Sequence, residues 1–224
     1  MSNILVFYLY CAMPIKILTS QTEEDLKFKS HWWGFPDLPD GVDFPLLPEE
    51  EDDSYDGEGE LLLTFICQIK LDEIARYDKE NLLPHEGMLY FFADLDYFLG
   101  DMEVPSEGLG FWPEGTFKVI YAQEADKLNT HIVLNEDGTC ACLKAEALSY
   151  KPTTDYDYGH KLLGMPFFEE VNEAAPGYIS LLQIDEDERW HLTLYDCGMI
   201  NFIIRKEDLA AKRFDKVRLY FHCM

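Results

Sequence analysis

LLLTFICQIKLDE (residues 61–73) places Gln68 at the end of an almost unbroken apolar run, and YISLLQID (residues 178–185) repeats the arrangement around Gln183. A strand that is apolar on both faces is a buried strand, so each amide must find its hydrogen-bond partners inside the protein. Both glutamines are therefore expected to clamp backbone groups of an adjoining loop. On strict alternation, Leu61, Leu63, Phe65, Cys67 and Ile69 form one face, and Leu62, Thr64, Ile66 and Gln68 the other. Ile179, Leu181 and Gln183 form the corresponding row of the later run.

The glutamines belong to a longer echo. Gly34-Phe35-Pro36 is matched by Gly164-Met165-Pro166, and ICQI (66–69) by LLQI (181–184). GMLYFFA from Gly87 is matched by GMINFII from Gly198, and KVIY from Lys118 by KVRLY from Lys216. His31 stands three residues before the first Gly-x-Pro and His160 four before the second. Four landmarks in one order predict an internal duplication, with halves 1–150 and 151–224 inside one compact unit spanning 1–224. Gly34 lies 34 residues before Gln68 and Gly164 lies 19 before Gln183, so the first half carries extra chain between its landmarks.

Local patterns fill in the rest. The apolar opening MSNILVFYLYCAMPIK lacks a basic start and a cleavage site and is too short to span a bilayer, so residues 1–19 read as extended chain. Residues 20–30 suggest a short helical turn, and the prolines of 31–48 an irregular, well-packed loop. LDEIARYDKEN (71–81) has a helical face, and DEDERWHLTLYDC (185–197) reads as a hairpin. GMLYFFADLDYF, TFKVIYA and HIVLN read as strands, and EDLAAKRF as a helix. ALSYKPTTDYDYGHK (147–161) reads as a polar connector between the halves. The resulting class is α+β: strand-rich, mainly antiparallel, with a few short helices.

The 224 residues carry 43 acidic against 18 basic side chains, a formal charge of −25. That field repels phosphate backbones and anionic lipid, which argues against nucleic-acid and membrane-surface binding. Eleven acids and no Lys or Arg lie in 31–60, including Glu49, Glu50, Glu51, Asp52 and Asp53. These five are the expected contact surface for a protein partner, a basic one by complementarity. The six cysteines form no C-x-x-C pair and read as reduced thiols of a cytoplasmic protein.

Chemistry is harder to find. No P-loop, dinucleotide fingerprint, nucleophile elbow or H-E-x-x-H is present. A calcium-loop register on Asp52, Ser54, Asp56 and Gly57 puts Leu63 where a bidentate Glu is needed. His131, Cys140 and Cys142 fall short of a zinc set, so neither a metal nor a cofactor is expected. Asp94 and Asp96 lie at i and i+2 of a strand end, where paired carboxylates can serve acid–base work. With His31 and His160 they are the candidate catalytic residues. Pseudo-symmetry would bring both Gly-x-Pro loops to one cleft lined by Trp32, Trp33 and Phe35, where a small ligand is the alternative to a protein partner.

Together, LTFICQIKLDEI, LLPHEGMLYFFADLDYF, HKLLGMPFFEE, YISLLQIDED and CGMINFIIRKEDLAAKRFDKV resemble the YwqG-like family of bacterial proteins of unknown function, over residues 12–224. The resemblance implies a cytoplasmic protein with a mixed, strand-rich fold, and it supplies no catalytic residue. Family members accompany toxin and polymorphic secretion genes, which implies an immunity-like or accessory role. This chain differs in a shorter N-terminal region, with a leading helix expected to be missing. It also has Trp33 where relatives carry a second glycine. The functional expectation is a non-enzymatic binding protein that engages a partner through acidic surface.

Overall fold

The computed structural model describes residues 12–48, 61–100, 102, 106–123, 127–135 and 137–224. Glu49–Asp53 and the rejected calcium-loop register from Asp52 to Gly57 lie outside the described residues, as do residues 1–11 of the apolar opening.

The two glutamine runs fold as matched strands. The first becomes β4 (Thr64–Lys70), following β1 (Ile15–Ser20), β2 (His31–Trp32) and β3 (Asp37–Pro39). It is followed by β5 (Met88–Ala93), β6 (Gly110–Phe111), β7 (Phe117–Ala122) and β8 (Leu128–Thr130). The later strands are β9 (Glu146–Pro152), β10 (Lys161–Leu162), β11 (Tyr178–Asp185, the second glutamine run), β12 (Met199–Arg205) and β13 (Arg218–His222). Eleven of them form one sheet in the order β6-β13-β12-β11-β10-β1-β9-β2-β4-β5-β7, and β3 pairs with β8 apart from it. Every strand pairing among the described residues is antiparallel. The helices among the described residues are short: α1 (Leu71–Ile74), α2 (Glu169–Ala174) and α3 (Lys206–Ala210), plus single 3₁₀ turns. The protein is mostly β, so the α+β expectation overstates its helical share.

The order is a palindrome about its centre, apart from the added edge strand β6. On one side β9 is followed outward by β2, β4, β5 and β7; on the other β1 is followed by β10, β11, β12 and β13. Register makes the correspondence residue by residue. His31 faces Gln68 where Lys161 faces Gln183, and Gln68 faces Tyr90 where Gln183 faces Asn201. Each long strand carries a bulge at the same point, between Phe65 and Cys67 and between Ser180 and Leu182. The bulge breaks the strict alternation expected for 61–69. Leu63 and Phe65 join a satellite core with Tyr90 and Phe92, while Ile66, Cys67 and Ile69 enter the main one.

The leading strands are exchanged. β1 precedes β2 in the chain but pairs with β10, and β9 precedes β10 but pairs with β2; β1 and β9 also pair with each other. The expected connector 147–161 is thus half central strand. Its alternation of Glu146 and Tyr150 inward with Ser149 outward is the pattern of a sheet with one wet face.

The two wings curl toward each other around the main core. Phe91 and Phe202, equivalent by register, meet edge-to-face with ring centroids 5.3 Å apart. The links between outer strands also reach across: β6, between β5 and β7, pairs with β13, and Phe214, just before β13, packs on Tyr121 of β7. The outer face of the first wing is covered by β3, β8 and a loop bringing Val42, Phe44 and Leu47; that of the second is covered by α2 through Phe168 and Val171.

Several local expectations change. The 71–81 helix is one turn: the Asp78 N–H still donates to the Ile74 carbonyl at 3.3 Å, and its carboxylate accepts the N–H groups of Leu82 and Leu83 as the chain turns away. HIVLN holds only an isolated bridge, Leu134 to Cys140. The stretch 185–197 keeps only a minimal hairpin, one antiparallel bridge between Asp187 and Leu192 around a 3₁₀ turn, Glu188–Trp190, in which Asp187 accepts the N–H of Arg189. Residues 20–30 contain bends and turns instead of helix. The Lys118/Lys216 echo is out by two: register pairs Val119 with Phe91 and Leu219 with Phe202, which makes Arg218 the counterpart of Lys118. No helix among the described residues is long and apolar enough to cross a membrane.

Candidate functional site

Both Gly-x-Pro loops are held by their glutamine. Gln68 Oε1 accepts the Asp37 N–H at 2.8 Å and Gln68 Nε2 donates to the Lys29 carbonyl at 2.9 Å. Gln183 Oε1 accepts the Phe167 N–H at 3.2 Å and Gln183 Nε2 donates to the Gly159 carbonyl at 3.1 Å. Within each loop two residues run left-handed: Trp33 (φ 57°) then Gly34 (φ 76°), and Leu163 (φ 59°) then Gly164 (φ 89°). A side chain pays about 1 kcal/mol for that conformation, which glycine adopts freely. The indole of Trp33 is retained there, buried beneath the loop.

A cleft of about 580 Å³ opens beside the first loop. One wall is Trp33, Gly34, Phe35 and Pro36; a second is Leu61–Phe65 with Phe44 and Leu47; the third is the 133–143 hairpin, including Cys140 and Cys142. The hairpin is tied by the Ala141 N–H to the Val133 carbonyl at 3.1 Å and the Asn135 N–H to the Thr139 carbonyl at 2.9 Å. Asp96 brings a carboxylate into this mainly apolar surface and accepts a hydrogen bond from the Thr64 hydroxyl. Burial and the neighbouring Cys140 push the Cys142 thiol up to about 11. Cys142 is therefore a neutral thiol at pH 7, which removes it as a nucleophile.

A second cavity of about 470 Å³ lies across the Gly34–Phe35 ridge and shares Cys140, Cys142 and Leu143 with the first. His31 lines it, along with Asp37 and Thr130. Asp37 is fully engaged: its carboxylate accepts from the Phe28 N–H at 2.8 Å, Gln68 Nε2 at 2.8 Å and the Thr130 hydroxyl at 2.6 Å.

The four candidate catalytic residues do not converge. His31 reaches the second cavity and Asp96 the first, separated by the ridge. Asp94 lines neither cavity; it is 4% exposed and its N–H donates to the Thr116 carbonyl at 2.9 Å. β5 ends at Ala93 and a 3₁₀ turn starts at Asp96, so the two carboxylates share no strand face. His160 is not the counterpart of His31. Its Nδ1 accepts the Asp185 N–H at 3.1 Å, as the Ser30 hydroxyl accepts the Lys70 N–H at 2.8 Å in the other wing. The histidines therefore occupy neighbouring, opposite-facing positions of the repeat. The second Gly-x-Pro loop lines neither cavity.

His160 instead belongs to a closed cluster at the strand exchange. Its ring lies 4.6 Å from Trp32 and 5.2 Å from Trp190, which stack on each other at 5.5 Å. Its Nε2 is 3.8 Å from Asp187, and Arg189 reaches from Asp187 to Glu146 on β9 and to the Thr19 hydroxyl on β1. Burial would raise Asp187, but hydrogen bonds from His160 and Arg189 outweigh it and hold the carboxyl well below its usual range.

Lys161, which register makes the true counterpart of His31, was not singled out by sequence patterns. It is 1% exposed, donates to the Asp155 carbonyl at 2.7 Å and sits over the Phe167 ring. Burial lowers it to about 8 against the pull of Asp155 and Asp157. Among the described residues no group of three or more His, Cys, Asp or Glu is placed to hold a metal ion.

A family model described as Domain of unknown function (DUF1963) matches the chain twice, over residues 30–156 and 131–223. The matches overlap in 131–156, the stretch that contains β9, which completes the first wing and leads the second. No curated protein matches the chain.

Proposed function

The chain belongs to the DUF1963 family of unknown function, and from that premise we propose that it is a non-enzymatic binding protein whose cleft beside Gly34-Phe35-Pro36 holds an apolar, cation-bearing segment of a basic protein partner. One juxtaposition carries the reading. The chain leaves the cleft wall at Leu47 and returns at Leu61, joined there by the Leu47 N–H to the Leu61 carbonyl at 2.8 Å. The residues between include Glu49, Glu50, Glu51, Asp52 and Asp53. Acidic charge tethered to the rim of an apolar, aromatic cleft raises the local concentration of cations and leaves apolar contact to fix them. Asp96 adds negative charge to the wall itself. A cytoplasmic, bacterial setting, an accessory or immunity-like role and an origin of the two wings by duplication belong to the same proposal.

The test is a panel of N-acetylated hexapeptides, each pairing Leu, Phe or Trp with two Lys or Arg, titrated calorimetrically. Binding should weaken several-fold as salt rises from about 50 to about 300 mM, since exposed charges are then screened. Phe35→Ala should cost at least about tenfold, and neutralising Glu49–Asp53 should flatten the salt dependence. Absence of binding across the panel, or indifference to Phe35→Ala, would sink the reading.

A small-ligand module or enzyme at the same loop is the second reading, favoured by the buried neutral imidazole of His31 in a cavity of its own. A thermal-shift screen of metals, nucleotides and sugars, with hits lost in His31→Ala, would select it.

A further inference from the structure

His31 holds one ring nitrogen in reserve. Nδ1 lies 2.7 Å from the Trp33 carbonyl, an acceptor, so the proton of the neutral ring sits on Nδ1. Burial draws the pKa down against that bond and the charge of Asp37, which keeps the ring neutral at pH 7. Nε2 is then an unprotonated acceptor, and no donor among the described residues meets it. The side chain is 3% exposed and lines the second cavity, so what reaches Nε2 has to come through that cavity.

The cavity's charges are mixed: Lys27 and Lys144 accompany Asp25, and Asp37 is consumed by its own three donors. It offers no excess charge to recruit an ion, so the neutral acceptor is its recognition element. The two cavities meet along Gly34, Phe35, Cys140, Cys142 and Leu143. An occupant that fills one and reaches the other needs an apolar group, a cation and a neutral donor spaced along its length. An extended polypeptide supplies the donor at every residue as its backbone N–H.

We propose that the cleft and the His31 cavity form one bipartite site for an extended peptide segment, which crosses the Gly34–Phe35 ridge and donates a backbone N–H to His31 Nε2. The inference rests on the partner-binding reading above and adds the class of recognition and the residue that enforces it.

The tightest hexapeptide of the panel, and the same peptide N-methylated at each amide in turn, would be titrated against wild type, His31→Phe and His31→Gln. His31→Phe should weaken binding about tenfold, the size of one lost hydrogen bond, while His31→Gln, which keeps an acceptor, stays within about threefold. A single N-methyl position should weaken binding to wild type and have no further effect in His31→Phe. If His31→Phe fails to fold, the N-methyl scan on wild type decides, because a site without a backbone donor is indifferent at every position. Wild-type affinity in His31→Phe, with binding still lost in Phe35→Ala, confines the ligand to the larger cleft and overturns this inference alone. No binding to wild type overturns the underlying reading and the inference together.

Discussion

Gln68 and Gln183 make the same two bonds in the two wings: each accepts the N–H three residues after its loop glycine and donates to the carbonyl five residues before it. Gln68 carries one bond more, from Nε2 to the Asp37 carboxylate at 2.8 Å. Replacing either by Leu strands buried backbone groups, at about 1–3 kcal/mol each. Urea denaturation should show both losses, the larger for Gln68→Leu, since Asp37 is 1% exposed and loses a donor. Equal, negligible effects would remove the amides from any structural role.

The strand exchange makes a non-local prediction. Ile17→Pro deletes the N–H that donates to the His160 carbonyl at 3.0 Å. Native-state hydrogen exchange should lose protection first in β10 and β11, more than 140 residues along the chain, and only later in β2 and β4. Loss beginning at residues 31–33 and 64–70 would contradict the exchanged pairing.

Lys161 gives the wings different pH responses. Its folded pKa of about 8 lies below the ordinary 10.5. Below about 8 both states are protonated and the folded protein bears the full burial penalty. Between 8 and 10.5 the unfolded chain binds the extra proton, so stability climbs with pH. Wild type should gain about 2–3 kcal/mol over that interval relative to Lys161→Met. Parallel stability curves for the two proteins would place the ammonium in water.

Cys142, held at about 11, should alkylate about a hundredfold more slowly at pH 8 than an ordinary free thiol, with the rate rising steeply toward pH 11. Mass spectrometry of iodoacetamide-treated protein reads this directly. Because Cys140 and Cys142 line both cavities, a bound peptide should slow labelling of both. Labelling of Cys142 at the ordinary rate would mean the cavity wall is open.

What could be read from the chain was local. The apolar runs around Gln68 and Gln183 announce buried strands because nothing in them tolerates water, and the Gly-x-Pro loops announce tight turns. The bulges were hidden because one extra residue in a run apolar on both faces leaves no trace in its pattern. β2 and β10 are two residues long, too short to show a period, so the histidines were matched by proximity to glycine instead of by register. β9 looked like a connector because its outer face is wet. The exchange of β1 and β9 depends on which distant edge each strand meets, and no local pattern encodes that. Of the candidate site, Trp33, Phe35, His31 and Asp96 were legible, and the Asp137-Gly138 turn marks the 133–143 hairpin; that this hairpin walls the cleft was not legible, since it depends on packing against distant segments.

The decisive measurement is an amide chemical-shift map of the protein titrated with the tightest hexapeptide of the panel. The expected shifts concentrate at Gly34–Phe35, residues 61–65 and residues 133–143, with a separate perturbation of the His31 imidazole. Shifts confined to the α2 face of the second wing, or to the His160–Asp187 cluster, would contradict a site at the first Gly-x-Pro loop.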